Sequence, residues 1–110
     1  MKIVIGSDHG GFDLKNIIMV HLREKGYEVF DVGTFSKTPC DYPDLAYLVA
    51  NAVSTNTADC GIMIDSIGIA SAIAANKIKK IRASVCWDLF TANSAREHNN
   101  ANVLCLGGQI

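Results

Sequence analysis

Short apolar runs alternate with helix-like segments along the whole chain, and this alternation constrains the fold more than any other feature. The runs at residues 3–5, 62–64 and 103–106 have the length of β-strands. Between such runs, apolar residues recur every three or four positions, as on one face of a helix. No linker or low-complexity stretch interrupts the pattern. The order β-α-β-α-β-α-β-α-β therefore predicts a single α/β domain over residues 1–110.

The strands differ in polarity, which indicates their places in the sheet. Four of the five are almost continuously apolar, as is typical of parallel strands covered on both faces. In the second, residues 27–32, polar and apolar residues alternate, so we expect this strand at an edge. A Rossmann-like, doubly wound, five-stranded parallel sheet in the order 2-1-3-4-5, within a three-layer α/β/α sandwich, meets both requirements.

That strand order also assigns the helices to the two faces of the sheet. Because parallel crossovers are right-handed, helix one would cover one face, and helices two, three and four would cover the other. One face of strands three to five would then be poorly covered. Exposed apolar area of that size is typical of an interface, so we expect a homo-oligomer, either a dimer or a tetramer.

Charge and cysteine usage exclude several classes of function. Ten Lys and Arg against eleven Asp and Glu give a net charge of −1, so the chain offers no basic surface for nucleic acid or for an anionic membrane. The amino-terminal apolar run is too short for a signal peptide, which predicts a cytoplasmic protein. The four cysteines lack the paired spacing of zinc or redox motifs and are interpreted mainly as core thiols, with no metal site expected.

A candidate site follows from the point where the strand order reverses. Ligands of such sheets bind outside the carboxyl ends of the strands there, which in this chain are strands one and three. The first is followed by Asp8 and His9, and the third by Asp65 and Ser66. Free amides at the helix start after Gly68 would attract an anion. Asp65 and Ser66 could equally be helix caps, and Asp8 could cap the first helix.

His98 ends the fourth helix, followed by Asn99. A helix that leaves the carboxyl ends of the strands finishes near their amino ends, so His98 would lie on the wrong side for its own crevice. If His98 is catalytic, it acts on the site of a neighbouring subunit. The alternative is a polar helix terminus without a catalytic role.

Five further motifs stand out along the chain, namely Ser7-Asp8-His9-Gly10-Gly11-Phe12, Asp41-Tyr42-Pro43, Ile73-Ala74-Ala75-Asn76-Lys77, Ile81-Arg82-Ala83 and Arg96-Glu97-His98-Asn99-Asn100-Ala101-Asn102-Val103. With these motifs the chain resembles the family of type B ribose-5-phosphate isomerases and galactose-6-phosphate isomerases, over essentially all 110 residues. This resemblance is the basis for the following expectations. It implies aldose–ketose isomerisation of a phosphorylated sugar, such as ribose 5-phosphate or galactose 6-phosphate, without a metal or organic cofactor. It also implies dimers, or dimers of dimers, with sites shared between subunits.

The resemblance further implies a role for each matching residue. Asp8, His9 and Tyr42 would contact the open-chain sugar or its phosphate. His98 of an adjacent subunit would help to open the sugar ring, and Asn99 would bind near the reacting end. The enediolate oxygen would be stabilised by the backbone of the turn after strand three, at Ser66, Ile67, Gly68 and Ala70.

Two departures from the family pattern leave a second hypothesis open. Many members carry a cysteine base where this chain has Asp65, within a Cys-Gly-Thr-Gly-x-Gly turn that here reads Asp65-Ser66-Ile67-Gly68-Ile69-Ala70. This turn is closest to that of one of the two galactose-6-phosphate isomerase subunits, which work as a mixed pair. The residues also stop short of the family's helical tail, whose arginines grip the phosphate. The alternative function is therefore a non-catalytic sugar-phosphate-binding or structural subunit, paired with a cysteine-bearing paralogue.

A carboxylate at position 65 is a competent base if its pKa is raised. Ile67 and Ile69 could desolvate it, and the negative charge of Asp8 across the crevice would act in the same direction. The helix start would act against them, because it favours the charged form. Asp65 as base and His98 acting in trans are the catalytic residues predicted from the sequence.

Overall fold

The computed structural model describes all residues, Met1–Ile110. It contains five parallel strands and four helices in strict alternation, and no helix in it is both long and apolar enough to cross a membrane. The elements are β1 Lys2–Ser7, α1 Phe12–Glu24, β2 Glu28–Asp31, α2 Tyr42–Ser54, β3 Cys60–Asp65, α3 Ile69–Ala75, β4 Ala83–Val85, α4 Leu89–Asn99 and β5 Val103–Gly107. A single 3-10 turn, His9–Gly11, joins β1 to α1. The predicted doubly wound α/β class is confirmed, as is the edge position of β2.

The strand order is 2-1-3-5-4, so the predicted order 2-1-3-4-5 is wrong at its last two places. β5 has five residues, pairs with both β3 and β4, and buries Val103 and Cys105 completely or nearly so. β4 has three residues, all partly exposed. The shorter and less buried strand lies at the edge, where one side needs no partner.

The corrected order also moves α4 to the other face of the sheet. The chain passes from β4 inward to β5, and a right-handed crossover in that direction places α4 on the same face as α1. Leu104 of β5 is consistent with this placement, because it packs both against the cluster beneath α1 and against the cluster that includes Ala95 of α4. The prediction that helices two, three and four share a face is therefore wrong for helix four.

The two faces of the sheet are covered unequally. Twelve buried residues form one continuous core beneath α2 and α3, whereas the opposite face has two separate clusters of five and three residues. Between α1 and α4 the sheet is open, with cavities of about 850 and 380 Å³. Leu104 lines both cavities, and Leu14 and Leu106 line the larger one. The sequence predicted a poorly covered face over strands three to five. In the structure, the uncovered part of that face is only a groove over β3 and β5.

The four cysteines are free thiols. Cys86 and Cys105 are buried, in agreement with the predicted core role, and burial raises the pKa of Cys105 to about 12. Cys40 and Cys60 are partly exposed, and burial is also the main reason why the pKa of Cys60 is raised.

Candidate active site

The loops after β1 and β3 meet at the carboxyl edge of the sheet, as the sequence predicts. The Asp8 amide donates to the Ile64 carbonyl at 3.1 Å. A Cβ on Gly11 would lie closer than 3.0 Å to that same carbonyl oxygen, and a Cβ on Gly10 would be equally close to the Ser66 hydroxyl. The two loops therefore approach each other so closely that backbone excludes a side chain at Gly11, while a side chain at Gly10 requires the Ser66 hydroxyl to move.

Asp65 lies at the end of β3 and is 5% exposed. Its Oδ1 accepts hydrogen bonds from the amides of Ile67 (3.2 Å) and Gly68, and its Oδ2 accepts from the amide (3.1 Å) and the hydroxyl (2.8 Å) of Ser71. Gly68 makes this wrapping possible with a φ of 100°, which side-chain-bearing residues rarely adopt. A carboxylate has about four lone-pair sites, so the chain itself fills all of those of Asp65.

Asp8, at the end of β1, is held by fewer bonds. It is 7% exposed, and its Oδ1 accepts from the Gly10 amide at 2.9 Å, while no donor of the chain bonds its Oδ2. Burial raises the pKa of the Asp8 carboxyl above its usual range, and the negative charge of Asp65 adds to that effect. The Gly10 amide opposes the rise. Asp8 thus caps the 3-10 turn and not α1, which was the helix that one interpretation expected it to cap, and it keeps an oxygen free for a ligand.

His9 and Tyr42, the other two predicted substrate-binding side chains of this region, lie in different elements. His9 is exposed, and its Nδ1 accepts a hydrogen bond from the Cys40 amide at 3.2 Å. A neutral ring with an accepting Nδ1 carries its proton on Nε2, which leaves Nε2 as a donor. Tyr42 begins α2 and is half-buried, with its ring packed against the large core cluster.

The turn predicted to stabilise an oxyanion, residues 65–70, is held by hydrogen bonds from the segment after β5 and by hydrogen bonds within the turn itself. Its backbone accepts hydrogen bonds from residues that follow β5, with the Gly108 amide bonding the Asp65 carbonyl at 2.7 Å and the Gln109 amide bonding the Ser66 carbonyl at 3.1 Å. The Ile67 and Gly68 amides already donate to Asp65. Among the predicted amides, those of Ser66 and Ala70 make no hydrogen bond within the chain and remain available.

The structure does not bring His98 and Asn99 into the crevice of their own chain. Both are exposed at the end of α4, where the Asn99 carbonyl accepts from Arg82 Nε at 2.6 Å, just before β4 begins. That end of α4 lies at the amino ends of the strands, opposite to Asp8 and Asp65. This is the placement that the sequence predicts for a residue that can serve only a neighbouring subunit.

All three arginines are engaged elsewhere. Arg23 donates to the Val29 carbonyl at 3.0 Å, Arg82 to the Asn99 carbonyl and Arg96 to the Ala101 carbonyl. None of these three contacts lies in the crevice.

Three residues that shape the site are absent from the sequence-based prediction. They are Ser71, Lys15 and Asp31. Ser71 donates a hydrogen bond to Asp65, and Lys15 forms an ion pair with Asp31 at the start of the loop whose Cys40 amide bonds His9. A signal for Lys15 was present, since a lysine occupies a position between Leu14 and Ile18 on the apolar stripe of α1. Ser71 carries no such signal, because small polar residues are common in helices. No cluster of three or more His, Cys, Asp or Glu side chains is arranged to hold a metal ion.

Comparison with known proteins gives one consistent family. The sequence profile described as "Ribose/Galactose Isomerase" matches residues 3–110. A relative from Escherichia coli, named ribose-5-phosphate isomerase B, is 47% identical over 109 residues, which cover 99% of this chain and 73% of the relative.

Solved structures agree with this fold over the same region. Ribose-5-phosphate isomerase B of Clostridium thermocellum superposes with a TM-score of 0.99 at 49% identity, covering 100% of this chain and 74% of that one. The Mycoplasma genitalium enzyme, solved with bound ribulose-5-phosphate, gives 0.93 at 44% identity, covering 98% and 72%.

Proposed function

Because the chain belongs to the ribose/galactose isomerase family, we propose that it interconverts ribose 5-phosphate and ribulose 5-phosphate. It is an aldose–ketose isomerase of phosphorylated sugars, and the choice of the pentose rests on the relatives named above. The observation that carries the proposal is the meeting of Asp8, His9 and Asp65 in one crevice at the reversal of strand order. Nothing in the structure or in these relatives favours the alternative of a non-catalytic subunit.

Proton transfer is assigned to Asp65. Isomerisation removes the proton from C2 of the open-chain aldose, passes through an enediolate and returns a proton to C1. The Asp65 carboxylate needs a free lone pair for this, and the Ser71 hydroxyl is the only one of its four donors that can leave by rotation about a side-chain bond. The free amides of Ser66 and Ala70 would stabilise the enediolate oxygen.

Binding of the phosphate group of the substrate is assigned to His9 and Tyr42. The Nε2–H of His9 is one donor, and the Cys40 amide fixes its ring in place. The Tyr42 hydroxyl, at the start of α2, is the second donor. Helix starts and neutral donors can hold a phosphate without an arginine, though less strongly than a bidentate clamp.

Ring opening is assigned to His98, with Asn99 beside it, from a second copy of the chain. Their exposure at the far edge of the sheet supports a homo-oligomer whose sites are shared, and the apolar groove between α1 and α4 offers area for an interface. A cytoplasmic location is part of the proposal, because a phosphorylated sugar is charged and does not pass a bilayer unaided.

The test is solvent-deuterium exchange at C2, followed by NMR, with ribose 5-phosphate and galactose 6-phosphate as substrates. Three chains are compared, the parent, Asp65→Asn and Asp65→Cys, each first shown to be folded by circular dichroism. We expect exchange in the parent with ribose 5-phosphate, none in Asp65→Asn, and recovery in Asp65→Cys, because a thiol can also act as base.

Each other outcome has a definite meaning. Exchange that persists in a folded Asp65→Asn variant would remove Asp65 as the base and leave Asp8 as the carboxylate to test. Exchange with galactose 6-phosphate alone would overturn the choice of pentose. No exchange by the parent with either sugar would overturn isomerisation by this chain acting alone.

A further inference from the structure

A fully buried lysine lies beneath the candidate site, and the chemistry proposed above makes no use of it. Lys15 of α1 has no exposed surface. Its ammonium group donates to both carboxylate oxygens of Asp31, at 2.8 and 2.9 Å, and to the Thr34 carbonyl. All three donors of the ammonium group are therefore used.

The surroundings of Lys15 enclose its charge. The Phe12 ring centroid lies 5.5 Å from Nζ and the Phe35 centroid 5.2 Å, distances at which an ammonium group is attracted to a ring face. Burying a charged pair gains little stability over apolar residues of the same size, so such pairs are better explained by the arrangement that they fix. The arrangement fixed here is that of the chain segment that follows β2.

That segment is bonded to β1 directly before the site residues. Asp31 Oδ1 also accepts from the Gly33 amide at 2.9 Å. The Gly33 carbonyl accepts from the Ser7 amide, and the Thr34 amide donates to the Ser7 carbonyl, both at 2.7 Å. Further along the same segment, the Cys40 amide reaches the Nδ1 of His9.

We propose that Lys15 is a positioning residue which, through Asp31 and residues 33–40, holds His9 in the tautomer that carries its proton on Nε2. The bond from the Cys40 amide requires an unprotonated Nδ1, and Cys40 lies in the same loop as Thr34, whose carbonyl Lys15 holds. What Nε2 then binds, the substrate phosphate, rests on the proposed function, whereas the tautomer itself does not.

The same segment offers a matched control. Lys37 forms an exposed ion pair with Asp13 at 3.1 Å, so a second lysine–aspartate pair joins α1 to the same loop. Exposed pairs of this kind contribute little, because water competes for both charges. Lys37→Met therefore removes the exposed ion pair between α1 and this loop and leaves the buried Lys15–Asp31 pair intact.

The experiment records ring ¹⁵N–¹H correlation spectra of the histidines in the full chain, with the His9 signals assigned from a His9→Gln variant. Spectra are recorded at a pH at which the histidine rings are neutral, and the parent and Lys37→Met are expected to show the single His9 proton on Nε2. Lys15→Met combined with Asp31→Asn, which avoids leaving a buried charge unpaired, is expected to show a mixture of tautomers. The KM for ribose 5-phosphate should rise by roughly tenfold, as for a lost charge-assisted hydrogen bond, with a smaller change in kcat.

The outcomes separate the two proposals. An unchanged His9 spectrum in the folded double variant would overturn the positioning role, even if activity fell. A parent without isomerase activity, but with the tautomer shift on removal of the pair, would overturn the proposed function and leave the positioning role standing. If the double variant does not fold, Lys15→Gln with Asp31→Asn decides by the same spectrum, because it removes both buried charges and the reach of the lysine while keeping an acceptor for Gly33.

Discussion

The two loops that build the crevice each present an aspartate at the end of a strand, but they hold it differently. Asp65 after β3 receives three backbone amides and one hydroxyl, whereas Asp8 after β1 receives the Gly10 amide alone on one of its oxygens. Asp8 has a raised pKa, chiefly because it is buried. An aspartate at the same edge of the sheet can therefore accept hydrogen bonds mainly from the backbone in one loop, and keep an oxygen free for a ligand in the other.

This difference shows how a helix start competes with chemistry for a carboxylate. Amides that order the turn after β3 also occupy the lone pairs that a base would use. The hydrogen bonds of Asp65 thus stabilise the fold but reduce its capacity to accept a proton. That capacity depends on whether the Ser71 hydroxyl rotates away from Oδ2. The loop after β1 satisfies its backbone with fewer side-chain bonds because it ends in a tight turn with two glycines.

The largest expected effect is that of Asp65→Asn on stability. An amide cannot accept from all four donors, so we expect the free energy of unfolding to fall by about 3 kcal/mol. Ser71→Ala, which removes one donor only, should cost about 1 kcal/mol. Urea denaturation measures both variants beside Asp8→Asn. The comparison between the loops fails if Asp65→Asn costs no more than Asp8→Asn.

The contact between the loops is tested by two glycines. A Cβ on Gly11 would meet the backbone oxygen of Ile64, so Gly11→Ala should lower the free energy of unfolding by about 2 kcal/mol. A Cβ on Gly10 would meet the Ser66 hydroxyl, which can rotate away, so Gly10→Ala should cost less. Adding Ser66→Ala to Gly10→Ala should recover most of that cost in a double-mutant cycle. Equal costs for the two glycine variants would contradict the structure.

The smallest expected effect is a pH-dependent gain from Asp8→Asn. Because the pKa of Asp8 is raised in the folded chain, the charged carboxylate costs stability once the pH rises above the ordinary value of 3.8 and through the folded value. Asparagine keeps an acceptor for the Gly10 amide. At pH 7 the variant should therefore be more stable than the parent by less than about 1 kcal/mol, since water still reaches the group. The gain should vanish below pH 3.8, and a gain that grows towards acid pH would reverse the assignment.

Much of this architecture can be read from the sequence, and the failures have definite physical causes. The alternation of elements gave the class of fold, and the reversal of strand order brought Asp8, His9 and Asp65 together as predicted. The order of β4 and β5 could not be predicted, because both are short apolar runs without the polar alternation that identified β2 as an edge strand. The misplacement of α4 followed from that error alone.

The hydrogen bonds of the site were beyond the sequence for a different reason. Whether Asp65 caps α3 or stays free depends on the φ of Gly68 and on the rotamer of Ser71, and neither has a signature in residue spacing. The placement of His98 at the far edge was predictable, because a helix of known start and length has a known end.

The clamp on the turn after β3 has a consequence for the order in which the molecule assembles. Residues 8–10 and 107–109, which are far apart along the 110 positions, both lie against this turn, and a Cβ on Gly108 would collide with the backbone of Gly10 and Gly11. Contacts so distant along the chain form late in folding, since the intervening strands must dock first. During translation, a nascent chain whose residues 107–109 are still inside the ribosome therefore lacks these contacts, and the turn after β3 stays unsupported on that side until β5 has docked.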